Sequence, residues 1–160
     1  SVAYASDAGT PGISDPGALL ADIVRVNGHA IVPIPGPAAF ATLVSVAGSG
    51  GKTLIFEGFL SPKPGKRRTR LKELMQTGDA IIIYESPFRI VKLLTDVADI
   101  DSKRRVVVGR ELTKLHEEIL SGTAEDVKND FAQRTSIKGE FAIFISGVKK
   151  IQNSDESTDK

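Results

Sequence analysis

Residues 2–36 read VAYASDAGTPGISDPGALLADIVRVNGHAIVPIPG, and the order of features within them decides the fold class. The stretch opens at Val2–Ser6 on a continuous apolar run of the kind found inside a buried parallel sheet. A loop dense in turn residues follows, from Ser6 to Gly12. Ser14 or Asp15 can cap a helix with Pro16 at its first position, where a missing N–H does no harm. Leu19, Leu20, Ile23 and Val24 give that helix an apolar stripe, and Asn27-Gly28 stops it because both residues tolerate positive φ. Ala30–Ile34 is the next strand. Strand, helix and strand in this order make a βαβ unit, so the two strands are expected to be parallel and the class α/β.

Further along, Ala38–Ala47 reads as a small-residue helix, and Gly48-Ser49-Gly50-Gly51 is the best linker in the chain. The expected division is 1–50 as the closing part of a parallel-sheet α/β domain, 51–148 as a mixed-sheet α/β domain, and 149–160 as a flexible polar tail. In the second segment strands are expected at Thr53–Glu57, Ala80–Glu85, Arg105–Arg110, Glu118–Leu120 and Phe141–Ser146. Helices are expected from about Lys66 to Gln76, from a Ser86 cap with Pro87 at the first position, and from Thr123 with Asp126 completing the cap.

Composition narrows the chemistry. The chain has 160 residues, 41% hydrophobic and 26% charged, with a net charge of +1, which is ordinary for a packed domain and points to no partner in bulk. It has no cysteine and two histidines, so disulfides, thiol nucleophiles and cysteine- or histidine-rich metal sites are excluded, and no metal site is expected. No apolar run approaches the ~20 residues that cross a bilayer. Met75 is the sole methionine and the opening apolar strand needs neighbours, so an N-terminally truncated chain is expected, with a processed terminus as the alternative.

Five stretches can carry chemistry. The loop Ser6–Gly12 follows a strand, where α/β proteins place ligands; Asp7 can accept from a ribose or an amine, and the bland alternative is a tight turn. It is neither a Walker loop nor a GxGxxG fingerprint. Ile34-Pro35-Gly36-Pro37-Ala38-Ala39 opens a helix whose first N–H groups suit an anion, although a plain helix start explains it equally. Lys63, Lys66, Arg67, Arg68, Arg70 and Lys72 place six cations within ten residues with no acid among them, which suits a polyanion such as RNA or, alternatively, a solvated helix face. In Tyr84-Glu85-Ser86-Pro87-Phe88-Arg89, the cation Arg89 opposes the helix dipole and calls for a carboxylate or an anionic ligand. In Gly109–Lys114 and His116-Glu117-Glu118, Lys114 and the carboxylates can take part in proton transfer, and there is no HExxH zinc motif.

The succession SDAGTPGISDPG, PIPGPAAF, FEGFLSPKPGKRRTRL, YESPFRI, GRELTKLHEEILSGT and KGEFAIFISG resembles the bacterial small-subunit ribosomal RNA methyltransferases that modify the ribose 2′-oxygen of a cytidine in 16S RNA. These form a branch of the tetrapyrrole-methylase (class III) superfamily. The resemblance runs from residue 1 to about 147. It implies two α/β domains with S-adenosylmethionine in the cleft between them, a cytoplasmic homodimer, and 16S rRNA within the small ribosomal subunit as substrate. It further implies that Asp7, Ala8, Gly9 and Pro11 form the cofactor loop, with serine where the superfamily has its first glycine. By the same resemblance Ala38 and Ala39 give backbone contacts to the cofactor, and Tyr84, Glu85, Glu111, Leu112 and Gly139 form the far side of the cleft. The family's opening strand and TPIGNL-type loop have no counterpart here, so this chain is expected to lack one wall of the cleft.

Methyl transfer from a sulfonium is an in-line displacement that depends on alignment, and a neutral hydroxyl needs a base or a cation beside it. Lys114, Glu111 and Glu140 are the candidates for that role. Lys66, Arg67, Arg68, Arg70 and Arg89 are the candidates for RNA phosphates. A porphyrinoid methylase of the same superfamily and a non-catalytic RNA- or partner-binding fragment are the rival expectations.

Overall fold

The computed structural model of the chain describes residues 1–7, 9–48 and 50–148. Its centre is β2 (Ala80–Glu85), whose run of three isoleucines suits a strand covered on both faces. Beside it lie β1 (Leu54–Phe59), β3 (Arg105–Arg110), β4 (Glu118–Thr123) and β5 (Phe141–Ile145), in the order β1-β2-β5-β3-β4. β1 runs parallel to β2, whereas β5 is antiparallel to both β2 and β3. β2 and β3 therefore point the same way, and the carboxyl ends of β1, β2 and β3 share one edge with the start of β5. The class is α/β with a mixed sheet.

Side chains alternate across the sheet and divide the core in two. Ile81, Ile83, Val106, Val108, Ile143 and Ile145 face α3 (Pro64–Gln76), α4 (Ile90–Ile100) and α5 (Ala124–Gln133), where Leu71, Leu74, Leu93, Leu94, Val127 and Phe131 bury their stripes. Ala80, Ile82, Val107, Ala142 and Phe144 face α2 (Ala39–Ala47), which contributes Leu43 and Ala47. Arg105 at the start of β3 donates to the Ala47 carbonyl and ties the end of α2 to the sheet. All five residues of β5 are buried, as expected for a strand between two others and beneath helices on both faces.

A bulge in β1 sets the direction of its last side chain. Phe56 pairs with Ile82 but Gly58 pairs with Ile83, so Glu57 is the extra residue. Because side chains alternate with period two, this insertion turns Phe59 to the same face as Phe56. Gly58 takes a φ of 70° there, and Arg70 of α3 grips the Glu57 carboxylate with two bonds of 2.7 and 2.8 Å.

Several sequence expectations need correction. Val2–Ser6 and Ala30–Ile34 are not strands. A strand exists through its ladder of hydrogen bonds, and among the described residues neither segment has a strand beside it; Val2, Ile31, Val32 and Ile34 stand exposed. The helix between them is present as α1 (Ala18–Val26), but it starts after Gly17, whose φ of 138° sets the turn, with no side-chain cap from Ser14 or Asp15. Ser86 does not cap α4 either. Residues 86–89 form a turn first, in which the Ser86 carbonyl accepts from Arg89 and Ile90, and the helix begins at Ile90. The remaining elements lie within a few residues of expectation, and the Thr123 hydroxyl accepts from the Asp126 N–H as anticipated. The tail at 149–160 lies outside the described residues.

Candidate active-site cavity

Near the shared edge, the last row of paired residues that spans β1, β2, β5 and β3 runs Phe59–Tyr84–Ala142–Gly109. Two aromatic rings are followed by two of the smallest side chains, which leaves a hollow over β5 and β3. A cavity of about 530 Å³ opens there, of a size suited to a small organic ligand. All four residues line it. Tyr84 and Phe59 form its aromatic wall, backed by Phe56 and Phe40, with ring centroids 5.0 to 5.8 Å apart in tilted or edge-on contacts. The Tyr84 hydroxyl accepts from the Phe40 N–H at 2.8 Å, so it occupies one of the free donors of the α2 N-terminus. Burial pushes the Tyr84 phenol above its ordinary pKa, and the Phe40 bond acts the other way.

The two glycine- and proline-rich loops read from the sequence meet at this cavity. The Thr10 N–H and hydroxyl both donate to the Pro37 carbonyl, at 2.9 and 3.1 Å. Gly9 has a φ of 80°, and a Cβ there would sit 3.2 Å from the same carbonyl oxygen, so the close approach of the loops depends on this glycine. Gly9, Ala38 and Ala39 line the cavity. Asp7 and Pro11 belong to the same loop but not to the lining, and Ala8 lies outside the described residues.

Opposite these loops Lys114, Glu111 and Glu140 come together. The Lys114 Nζ donates to Glu140 Oε2 at 2.8 Å and to Glu111 Oε1 at 3.1 Å. Glu111 Oε1 also accepts from the Glu140 N–H at 2.8 Å. Glu111 has a φ of 48°, in the left-handed region, which turns its carboxylate toward that N–H. Gly139 makes the turn possible: a Cβ on it would meet the Glu111 Cγ at 2.6 Å. The Glu140 N–H, and then Lys114, hold the Glu111 carboxyl below its ordinary pKa. Bonds to Glu140 and then Glu111 push the Lys114 ammonium up. The trio thus stands as one cation between two carboxylates, able to orient a polar ligand, and Lys114 is not a ready proton acceptor. Leu112 lines the cavity and packs over Gly109.

Glu85 is placed differently from its neighbour. Its backbone is at the cavity, but the alternation that points Tyr84 at α2 turns the Glu85 side chain to the other face. There, 2% exposed, it accepts from the Ser86 N–H at 2.8 Å and pairs with Arg89 at 2.7 Å. That pair supplies the carboxylate that Arg89 called for.

The basic run is mostly committed within the protein. Arg67 is 4% exposed and bonded to buried Asp96 at 2.6 Å. Arg68 reaches Asp96 and Asp99 at 2.5 and 3.2 Å, and Arg70 holds Glu57 and Glu73. Lys66 and Lys63 form no ion pair with the described residues. The acids that neutralise the arginines come from β1, α4 and the body of α3, out of sight of the local charge count. The aromatic wall was missed because the sequence does not show the Glu57 bulge or the pairing that brings Ala142 and Gly109 next to Tyr84.

The sequence profile of the tetrapyrrole (corrin/porphyrin) methylases matches residues 1–128. The ribosomal RNA small subunit methyltransferase I of Borrelia garinii subsp. bavariensis is 42% identical over 147 residues, covering 91% of this chain and 66% of that protein. The protein of the same name from Xylella fastidiosa is 46% identical over 153 residues, covering 92% and 55%. The chain thus spans 55 to 66% of the length of these two relatives. Among solved structures, that of the methyltransferase CobJ superposes with a TM-score of 0.64 at 17% identity over 87% of this chain and 62% of that one, a likeness of fold.

Proposed function

The chain belongs to the tetrapyrrole (corrin/porphyrin) methylase family, and from that premise we propose that it serves an S-adenosylmethionine-dependent methyltransferase acting on the ribose 2′-oxygen of a cytidine in 16S ribosomal RNA. The observation that carries this reading is the cavity at the carboxyl edge of the sheet, where the Gly9–Thr10 and Pro37–Ala39 loops face the Lys114–Glu111–Glu140 trio. The names of the relatives in Borrelia and Xylella support a ribosomal RNA substrate.

The residues present fit the donor. The cavity has the right scale, a backbone wall of Gly9, Ala38 and Ala39 that leaves room beside the chain, and an aromatic wall. In the proposed site those backbone segments hold the nucleoside side of the donor, and Tyr84 and Phe59 provide apolar cover that excludes water. When bound, S-adenosylmethionine supplies an electrophilic methyl group. Lys114, held as a cation, stabilises negative charge developing on the attacking ribose oxygen. Glu140, 2.8 Å from Lys114, is the carboxylate placed to receive the hydroxyl proton, whereas Glu111, committed to the Glu140 N–H, positions the pair. The same reading places the enzyme in the cytoplasm, as a homodimer.

The test is methyl transfer from labelled S-adenosylmethionine to small ribosomal subunits taken from cells lacking the modification. Label recovered as 2′-O-methylcytidine is the expected outcome. Label on a base, or transfer to a porphyrinoid but not to the subunit, contradicts the reading.

A further inference from the structure

We propose that Phe59 and Phe88 form a stacking platform at the mouth of the cavity for unpaired RNA bases, with Lys63 and Lys66 holding the flanking phosphates. This inference rests on the RNA reading above and adds how that RNA is engaged: as a single strand, through the faces of its bases.

Phe88 is 87% exposed and Phe59 is 55% exposed. A lone exposed apolar residue needs no explanation, but these two lie on chain segments that leave adjacent strands. Phe59 ends β1 and Tyr84 pairs with it in β2, so the chain leaving β1 and the turn leaving β2 emerge side by side. Arg89 donates to the Leu60 carbonyl at 3.4 Å, which ties the turn carrying Phe88 to the residue after Phe59. Ser86 and Pro87 of that turn line the cavity, as does Phe59 itself.

Charge beside the platform separates the candidate partners. The arginines of α3 are consumed by Asp96, Asp99, Glu57 and Glu73. Lys63 and Lys66, at the start of α3 and four and seven residues after Phe59, make no ion pair with the described residues. Exposed aromatic rings with uncommitted cations a few residues along the chain suit a ligand that carries π faces on an anionic backbone, which is single-stranded nucleic acid. A duplex hides its base faces and offers these rings nothing. The phosphate-binding role read from the sequence for Arg67, Arg68 and Arg70 passes to Lys63 and Lys66. The Glu57 bulge, gripped by Arg70, is what aims Phe59 at this rim.

The experiment is fluorescence anisotropy of a labelled short oligoribonucleotide, single-stranded or annealed to its complement, titrated with the chain. The single strand is expected to bind more tightly than the duplex. Phe88→Leu, which keeps apolar bulk and removes the ring face, is expected to weaken single-strand binding by about fivefold or more, and Phe88→Trp to retain it. Lys63→Gln with Lys66→Gln is expected to lower the salt slope by about 0.7 for each lost phosphate contact. Equal affinity for single strand and duplex, or no change in Phe88→Leu and Phe59→Leu, overturns the platform and leaves the exposed rings to a protein partner. Thermal melting of each variant checks folding, which Phe88 at its exposed position does not govern. Donor binding is measured separately by calorimetry: its failure defeats the methyltransferase reading while leaving the platform standing.

Discussion

Glu111 and Thr113 have φ angles of 48° and 64°, a conformation that costs a non-glycine residue energy, and both line the cavity. The cost is met by what Glu111 gains there: the Glu140 N–H and the Lys114 ammonium. Gly139→Ala would drive a methyl into the Glu111 Cγ and displace the carboxylate. We expect this variant to fold and to lose about tenfold or more in methyl transfer, a barrier change of about 1.4 kcal/mol, read from initial rates at saturating donor. Unchanged rates would remove Glu111 from its positioning role. Away from the cavity, the Arg134 guanidinium, and with it Arg110, holds the Glu118 carboxyl below its ordinary pKa. The folded value is the lower one, so this group contributes stability above the ordinary glutamate value of about 4.3, and that contribution is lost as pH falls through the folded value. The melting-temperature advantage of the wild type over Glu118→Gln should therefore shrink on acidification below about pH 4. A constant advantage would contradict the assignment. At this scale the sequence was informative where charges alternate, as around Lys114. It was silent where orientation depends on distant pairing, as for Glu85, which one step of strand alternation turns away from Tyr84.

Among the elements, α3 and α4 are locked by Asp96, which is 2% exposed and bonded by both Arg67 and Arg68. Asp96→Ala leaves the Arg67 guanidinium buried without a partner and should cost about 3–5 kcal/mol in denaturant unfolding. Removing the half-exposed Arg70–Glu73 contact by Glu73→Ala should cost under about 1 kcal/mol. Comparable losses in the two variants would mean that the buried pair is not the lock. α1 stands at the other extreme: none of its residues is buried, and Leu19, Leu20, Ile23 and Val26 face solvent. Its amides should exchange with deuterium far faster than those of β2 or β5. Equal protection would show that α1 is covered in solution. The apolar stripe that revealed α1 in the sequence is real, yet a stripe does not say what covers it. β2, β3 and α5 were legible because isoleucine and valine runs, and the Thr123 cap, act locally. The strands expected at Val2–Ser6 and Ala30–Ile34 were not, because a strand needs a partner that composition cannot supply.

Across the whole molecule, the order β1-β2-β5-β3-β4 gathers three carboxyl ends at one edge, and α2 brings the Pro37–Ala39 turn over it. The motifs were visible singly in the sequence, and their succession carried the family. Their convergence on Ala142 and Gly109 was not visible, since it follows from long-range pairing of β5 between β2 and β3. The central claim is that this convergence makes the methyl-donor site. Calorimetric titration of the chain with S-adenosylmethionine, alongside Ala39→Trp, which places an indole in the cavity, tests it most directly. Saturable one-site binding to the wild type is predicted, with a loss of at least about tenfold in affinity in the variant, a change of about 1.4 kcal/mol. No saturable binding to the wild type, or equal affinity in both, would contradict the claim.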